Sequence, residues 1–202
     1  MLRGTVASKQ RLSRERQALL AEPFGSCLKA LHAIDPAEAL ANGLGPDLLG
    51  RFDARKRYPI LKERVEELQS SGASANWTRL LDYMAYCELE GPRNCTIVHG
   101  DLYAAHVLLD DDGSLAGLID WGDVHFGDPA LDLTLAHSTL PPEAHEVFWQ
   151  AYGAMDEATW ARARWRAIYA AVTILHYALH TKNDDLRVWS STALGYIDEA
   201  LR

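Results

Sequence analysis

The chain is short of cysteine, of basic charge and of long apolar runs, and each shortage excludes a class of protein. Its three cysteines, Cys27, Cys87 and Cys95, form no close pair and no metal-ligand spacing. A sparse, odd set suits a reducing cytosol better than a disulfide-stapled secreted domain. Lysine and arginine total 20 against 28 acidic residues, for a formal charge of −8. A general nucleic-acid binder would carry a basic face, so nucleic acid is not expected as a partner. No stretch approaches the roughly 20 apolar residues of a membrane-spanning helix. The basic start, MLRGTVASKQRLSRERQ, lacks the apolar core of a signal peptide. The expected location is the cytoplasm, away from membranes. Internal repeats, low-complexity tracts and an obvious interdomain linker are missing too.

What is present is one core's worth of apolar residues: 48% of 202. Most of the chain reads as helix around one compact β region. Residues 12–34 space Leu12, Leu19, Leu20, Phe24, Leu28 and Leu31 helically, with a kink or a division expected at Pro23 and Gly25. A loop, ANGLGPDLLG, follows, and Leu61, Val65 and Leu68 mark a helix over Ile60–Leu68. Asn76 is placed to cap a helix whose stripe is Trp77, Leu80, Leu81, Met84 and Cys87. GPRN ends it, and CTIVHGD suits a short strand. In HVLLDDDGSLAGLIDWGD, Asp-Gly between two apolar segments signals a hairpin. Asp128-Pro129 reads as a helix start, a capping carboxylate followed by a first-turn proline. The stripe from Trp165 to Leu179 makes a core-facing helix.

The informative segment is IVHGDLYAAHVLLDDDGSLAGLIDWGDVHFGDPALDL, residues 97–133. A hairpin brings its outer ends together, so the loop bearing Asp101 and His106 should face the loop bearing Asp120. Two carboxylates and an imidazole clustered in this way call for a cation or a proton. Phosphoryl transfer needs such a group, to orient a hydroxyl and to neutralise phosphate charge.

HGDLYAAH resembles the catalytic loop of the aminoglycoside phosphotransferase family, a branch of the protein-kinase-like fold that includes macrolide and choline kinases. LIDWGDVHFGDPALDL resembles its metal-binding loop and following helix. The resemblance implies an α+β, mainly α fold: a kinase-like C-terminal lobe with a small β-hairpin at the catalytic edge. It makes residues 1–202 a single lobe, with a catalytic loop at 97–106 and a metal loop at 118–128. By the same resemblance Asp101 is the catalytic base, His106 and Asp120 are metal ligands, and His99 and Asp123 support them. The implied cofactors are Mg²⁺ or Mn²⁺, with ATP or GTP as phosphate donor. The implied partner is a small-molecule acceptor hydroxyl, with cationic antibiotics among the candidates. The family most often has asparagine where this chain has His106; macrolide-kinase-like members carry histidine there. Imidazole leaves the metal open, because Mg²⁺ prefers oxygen ligands.

The family's N-terminal nucleotide lobe has no counterpart motif. Before Asp101 there is no glycine-rich phosphate loop and no apolar strand bearing a lysine, and Lys9 lies in a polar segment. Two other readings therefore stand beside a phosphotransferase: a lobe that binds metal-nucleotide or a cationic ligand without turnover, and a fragment of a longer kinase. Elsewhere the plainer readings are preferred. Asp128 is a helix-start residue, and Asp132 is as readily a solvated helix residue as one facing the site. His125 has no assigned role. His176 and His180 lie four apart on a helix and could form a zinc pair, but no third ligand has matching spacing, so packing is favoured. Trp160, Trp165, Tyr169, Tyr177, Asp184, Asp185 and Trp189 are available for an acceptor pocket, most of them better explained as core or surface.

Overall fold

Capping residues decide where the helices begin. A computed structural model describes residues 4–89 and 94–202. Ser13 opens α1 (Arg14–Ala18) by accepting from the Arg16 amide. The first helical stretch divides at Leu19–Leu20 rather than at Pro23, which sits in the first turn of α2 (Ala21–His32). A proline there removes an amide that has no intrahelical acceptor, so no kink follows. Gly25 has a different purpose: a Cβ on it would lie 2.6 Å from the carbonyl oxygen of Phe148. It lets α2 press against α7 (His145–Tyr152). A short α3 (Ala37–Ala41) and the predicted loop lead to α4 (Ala54–Ser70). This helix is longer than its apolar stripe, because the Asp53 carboxylate caps it from the Lys56 amide. Asn76 caps α5 (Trp77–Tyr86) from the Arg79 amide. Gly91, Pro92 and Arg93, expected to end that helix, lie outside the described residues.

The β region follows: β2 (Thr96–Val98), β3 (Val107–Leu109), β4 (Leu115–Leu118) and β5 (His125–Gly127). The hairpin pairs Val107 with Leu118, and its turn is closed by the Asp110 carboxylate accepting from the Ser114 amide. A strand from the N-terminus, β1 (Thr5–Val6), adds to the far side of β3. Sequence reading marks that segment only as polar and basic. The other pair is β2 with β5, antiparallel, Val98 opposite His125. Each of two loops, 99–106 and 119–124, thus runs between one strand of the hairpin and one strand of the β2–β5 pair.

Helix α6 (Ala130–Thr139) is buried at every residue. Around it pack α8 (Glu157–Thr181), α9 (Asp184–Glu199) and, more lightly, α2. The helix starts one residue later than expected: Asp128 accepts from the Ala130 amide and Pro129 precedes the first turn. Asp128 also takes Arg162 Nε at 2.7 Å, a fully buried ion pair. The result is a mainly helical lobe with small sheets at one edge. No helix among the described residues is long and apolar enough to cross a membrane.

Two histidines lie near the far end of α6, His137 buried and His145 half-buried. His137 is fully buried and donates from Nε2 to the Trp160 carbonyl, 3.2 Å away. Burial holds its pKa well below the ordinary range, and holds that of His145 down to about 4. The positive charge of Arg164 adds to the second effect. Both rings are therefore neutral in the fold, whereas in the unfolded chain they protonate below about pH 6.5. Between pH 6.5 and 4 the unfolded state binds more protons, so stability is full above that window and falls as pH drops through it. His145 alone contributes on the order of 3 kcal/mol at most. Urea unfolding at pH 7 and pH 5 should show this loss, and His145→Gln should flatten the dependence.

Candidate active site

The two loops meet through atoms that leave little freedom. Gly100 adopts φ +84°, and a Cβ there would lie 2.6 Å from the Asp123 carbonyl oxygen. Glycine alone therefore lets the second loop come so close. His99 is fully buried between them: its Nε2–H donates to the Ile119 carbonyl at 2.9 Å, and Nδ1 accepts from the Asp101 amide at 3.4 Å. The Ile119 amide in turn donates to the His106 carbonyl at 2.9 Å, extending the hairpin ladder.

Beneath the first loop lies Asp132, for which the sequence leaves two readings open, a solvated helix residue or one facing the site. Asp132 is not solvated; it is fully buried in the first turn of α6. Its two oxygens accept from the amides of His99 at 2.8 Å and Gly100 at 2.9 Å. One of them also meets His32 Nε2 at 3.1 Å, and His32 Nδ1 lies 2.8 Å from the Tyr152 hydroxyl. Asp132 lies inside the family-like segment LIDWGDVHFGDPALDL, whereas the pairing with His32 spans 100 positions and shows only in the fold.

On this base the imidazole of His106 stands between two carboxylates. Nδ1–H donates to the Asp101 carbonyl at 2.7 Å, which leaves Nε2 with a lone pair. Nε2 lies 3.4 Å from Asp120 Oδ2, and the Asp101 carboxylate lies 3.8 Å from Nδ1 on the other side. Two ligands of one divalent ion at about 2.0–2.1 Å stand about 3.0–3.4 Å apart. His106 Nε2 and Asp120 thus match an ion's donor set, while the Asp101 carboxylate sits apart from it. Asp101 and Asp120 are exposed. Asp123 differs: Arg51, itself buried, holds it at 2.8 Å and holds Asp47 at 2.7 Å. His125, without a role in the sequence reading, is buried against Gly100 and Gly127 and donates from Nδ1 to the Asp123 carbonyl at 2.7 Å.

Beside Asp101 opens a pocket of about 280 Å³, walled by Tyr103, Arg166, Tyr169, Tyr177 and Leu186. The guanidiniums of Arg57, Arg64 and Arg166 lie 5.6, 5.9 and 5.1 Å from the Tyr169 ring centre. Burial together with Arg51 and Arg57 lowers the Arg166 pKa to about 10, still charged at neutral pH. Burial and the charges of Asp101 and Asp120 raise that of Tyr103, which stays a neutral hydroxyl. Of the residues offered for an acceptor pocket, Tyr169 and Tyr177 line it. Trp160, Trp165 and Trp189 are buried, and Asp184 and Asp185 pair on the surface with Arg187 and Arg11.

The phosphotransferase enzyme family model matches residues 1–166. The chain belongs to this phosphotransferase family. An uncharacterized protein, YcbJ of Bacillus subtilis (strain 168), is 28% identical over 124 residues, 59% of this chain. The match spans 39% of that relative's length. Among solved structures, a macrolide 2'-phosphotransferase type I aligns over 96% of this chain and 67% of its own, at 23% identity and a TM-score of 0.57. The GDP complex of an aminoglycoside 2'-phosphotransferase IIIa aligns over 100% and 68%, at 19% identity and 0.58. At these identities the likeness is one of fold: a mainly helical lobe of the kinase-like phosphotransferases.

One backbone feature of the second loop has a measurable cost. Asp120 has φ 63° and ψ 61°, left-handed for a non-glycine residue. The other such residue among those described, Lys182, merely follows the end of α8. A left-handed L-residue costs about 1–2 kcal/mol, of which glycine's extra unfolded-chain entropy would return part. Asp120→Gly should therefore be more stable than Asp120→Ala by about 1 kcal/mol. Urea unfolding of the two variants checks this; equal stability would mean the backbone is unstrained there.

Proposed function

We propose that the chain carries the base-and-metal half of a nucleotide-dependent phosphotransferase acting on a hydroxyl of a small molecule. One observation supports the reading: the Nδ1–H of His106 is committed to the Asp101 carbonyl, so Nε2 faces Asp120, where a metal would find both as ligands. His106 and Asp120 would hold Mg²⁺ or Mn²⁺ against the phosphates of ATP or GTP. Bound there, the ion neutralises phosphate charge. Asp101 orients the acceptor hydroxyl and takes its proton as that oxygen bonds to the terminal phosphorus and the bond to the nucleoside diphosphate breaks. His99, Gly100 and Asp132 hold Asp101 in place, and Arg51 pairs with Asp123. The rest of the phosphate grip would come from polypeptide outside these residues.

The pocket beside Asp101 narrows the acceptor. About 280 Å³ lies just below the range of drug-sized sites, roughly 300–1,000 Å³. Its wall combines aromatic rings with Arg166, and Arg57 and Arg64 crowd the same tyrosine. Such a wall repels a polycation and suits a compact acceptor that is neutral or anionic, with an apolar face. This turns the reading away from a cationic antibiotic.

Titration of ATP and GTP with Mg²⁺ or Mn²⁺ tests the site. Metal-dependent binding should vanish in Asp120→Ala and largely survive in Asp101→Ala, which instead loses any transfer to an acceptor. Equal behaviour of wild type and both variants would overturn the assignment. Binding without transfer, in wild type supplied with a complete nucleotide lobe, would favour the binding-lobe reading instead.

A further inference from the structure

The histidine pair set aside for want of a third ligand has one, from a different helix. His176 and His180 lie one turn apart on α8, and Glu67 of α4 reaches them. Glu67 Oε2 is 2.7 Å from His176 Nε2, and the two rings are 4.4 Å apart. One ligand atom from each of the three residues falls within 4.8 Å of the others. We propose that Glu67, His176 and His180 form a zinc-class metal site that pins α4 to α8, separate from the Asp101–His106–Asp120 cluster.

The donor set and its orientation carry the inference. Two imidazoles and one carboxylate, with a fourth position open to water, are a recurrent zinc arrangement. Histidines at i and i+4 present both rings on one helix face. The Nδ1–H of His180 donates to the His176 carbonyl at 2.9 Å, which fixes the tautomer that leaves Nε2 free to ligate. His176 now spends Nε2 on Glu67. A metal entering between them takes over both atoms: Nε2 gives up its hydrogen, and the neutral ring then carries its one N–H on Nδ1. Glu67 is exposed and has side-chain freedom to open the 2.7 Å contact to ligand spacing. The three residues share a concave surface with Leu68, Ser71 and Leu179, so the ion would sit against apolar walls.

The helices are already in register for this. Arg64 Nη1 donates to Thr173 Oγ1 at 2.6 Å, and Glu67–His176 lies three residues further along both helices. The seam therefore runs from Tyr169, which walls the pocket beside Asp101, through Arg64–Thr173 to the histidine pair. An ion at its end would hold α4, and with it Arg57 and Arg64, against that tyrosine. Mg²⁺, which prefers oxygen ligands, should not occupy the site, and Zn²⁺ should.

The test is Zn²⁺ titration by calorimetry of the full, chelator-stripped chain, without nucleotide. Asp120→Ala serves as background, to remove the other cluster. In that background one Zn²⁺ per chain should bind and raise the melting temperature, and Mg²⁺ should do neither. Adding His180→Ala or Glu67→Gln should weaken Zn²⁺ by more than the roughly 10–100-fold that an outer-shell change costs. X-ray absorption of the zinc-loaded chain should show two imidazoles. Far-UV circular dichroism checks that these variants of solvent-facing side chains remain folded. The proposal is overturned if the Asp120→Ala chain binds no Zn²⁺, or binds it as well after His180→Ala and Glu67→Gln. The phosphotransferase reading survives either result, because it rests on the other cluster.

Discussion

A single buried carboxylate ties the loops of the candidate site to the core. Asp132 belongs to α6, the helix buried at every residue, and its oxygens accept from the amides of His99 and Gly100. A carboxylate out of water costs several kcal/mol unless donors surround it. Here two amides and His32 supply them. The first loop cannot lift away without stranding that charge, so its backbone inherits the rigidity of the core. The rest follows in order. Gly100, fixed from below, leaves room for the second loop; His99 ties that loop at Ile119; His106 and Asp120 then face each other across 3.4 Å.

The same stretch of chain sorts its carboxylates into two groups. Asp128 is neutralised by Arg162, Asp123 by Arg51, and Asp132 by amides and His32. Asp101 and Asp120 have only the imidazole of His106 within ion-pair distance among the described residues, and both are exposed. Of the three acids that find cations or donors, Asp128 and Asp132 are buried and Asp123 is exposed, and the two left over surround one imidazole nitrogen. Such an arrangement has a deficit of positive charge that a divalent ion would fill. In contrast, the neighbouring pocket has an excess, with Arg166 in its wall and Arg57 and Arg64 behind Tyr169.

Local chemistry was legible from sequence alone. Asn76 capping α5, the Asp-Gly turn between β3 and β4, and the apolar stripes of α4 and α8 all depend on residues within a few positions of one another. The facing of the Asp101 and Asp120 loops was legible too, because a hairpin of known length fixes where its ends meet. Contacts across long separations were not. β1 has two residues and acquires its identity only from β3, more than 100 positions on. Arg51 meets Asp123 across 72 positions, and Glu67 meets His176 across 109. Sequence alone leaves Asp132 open between solvent and the site, because a charge in a wholly buried helix is decided only once its three donors are placed. Pro23 and Gly25 were read as breakers, whereas a first-turn position and a close helix contact make both compatible with α2.

Hydrogen exchange at the amides of His99 and Gly100 measures the central constraint directly. In the wild type these two should be among the slowest-exchanging amides of the chain, opening only with the core. In Asp132→Asn, still folded at low temperature, both should accelerate by orders of magnitude, and divalent-ion binding at His106 and Asp120 should weaken in parallel. Fast exchange at both amides in the wild type, or unchanged exchange in the variant, would contradict the dependence of the site on Asp132.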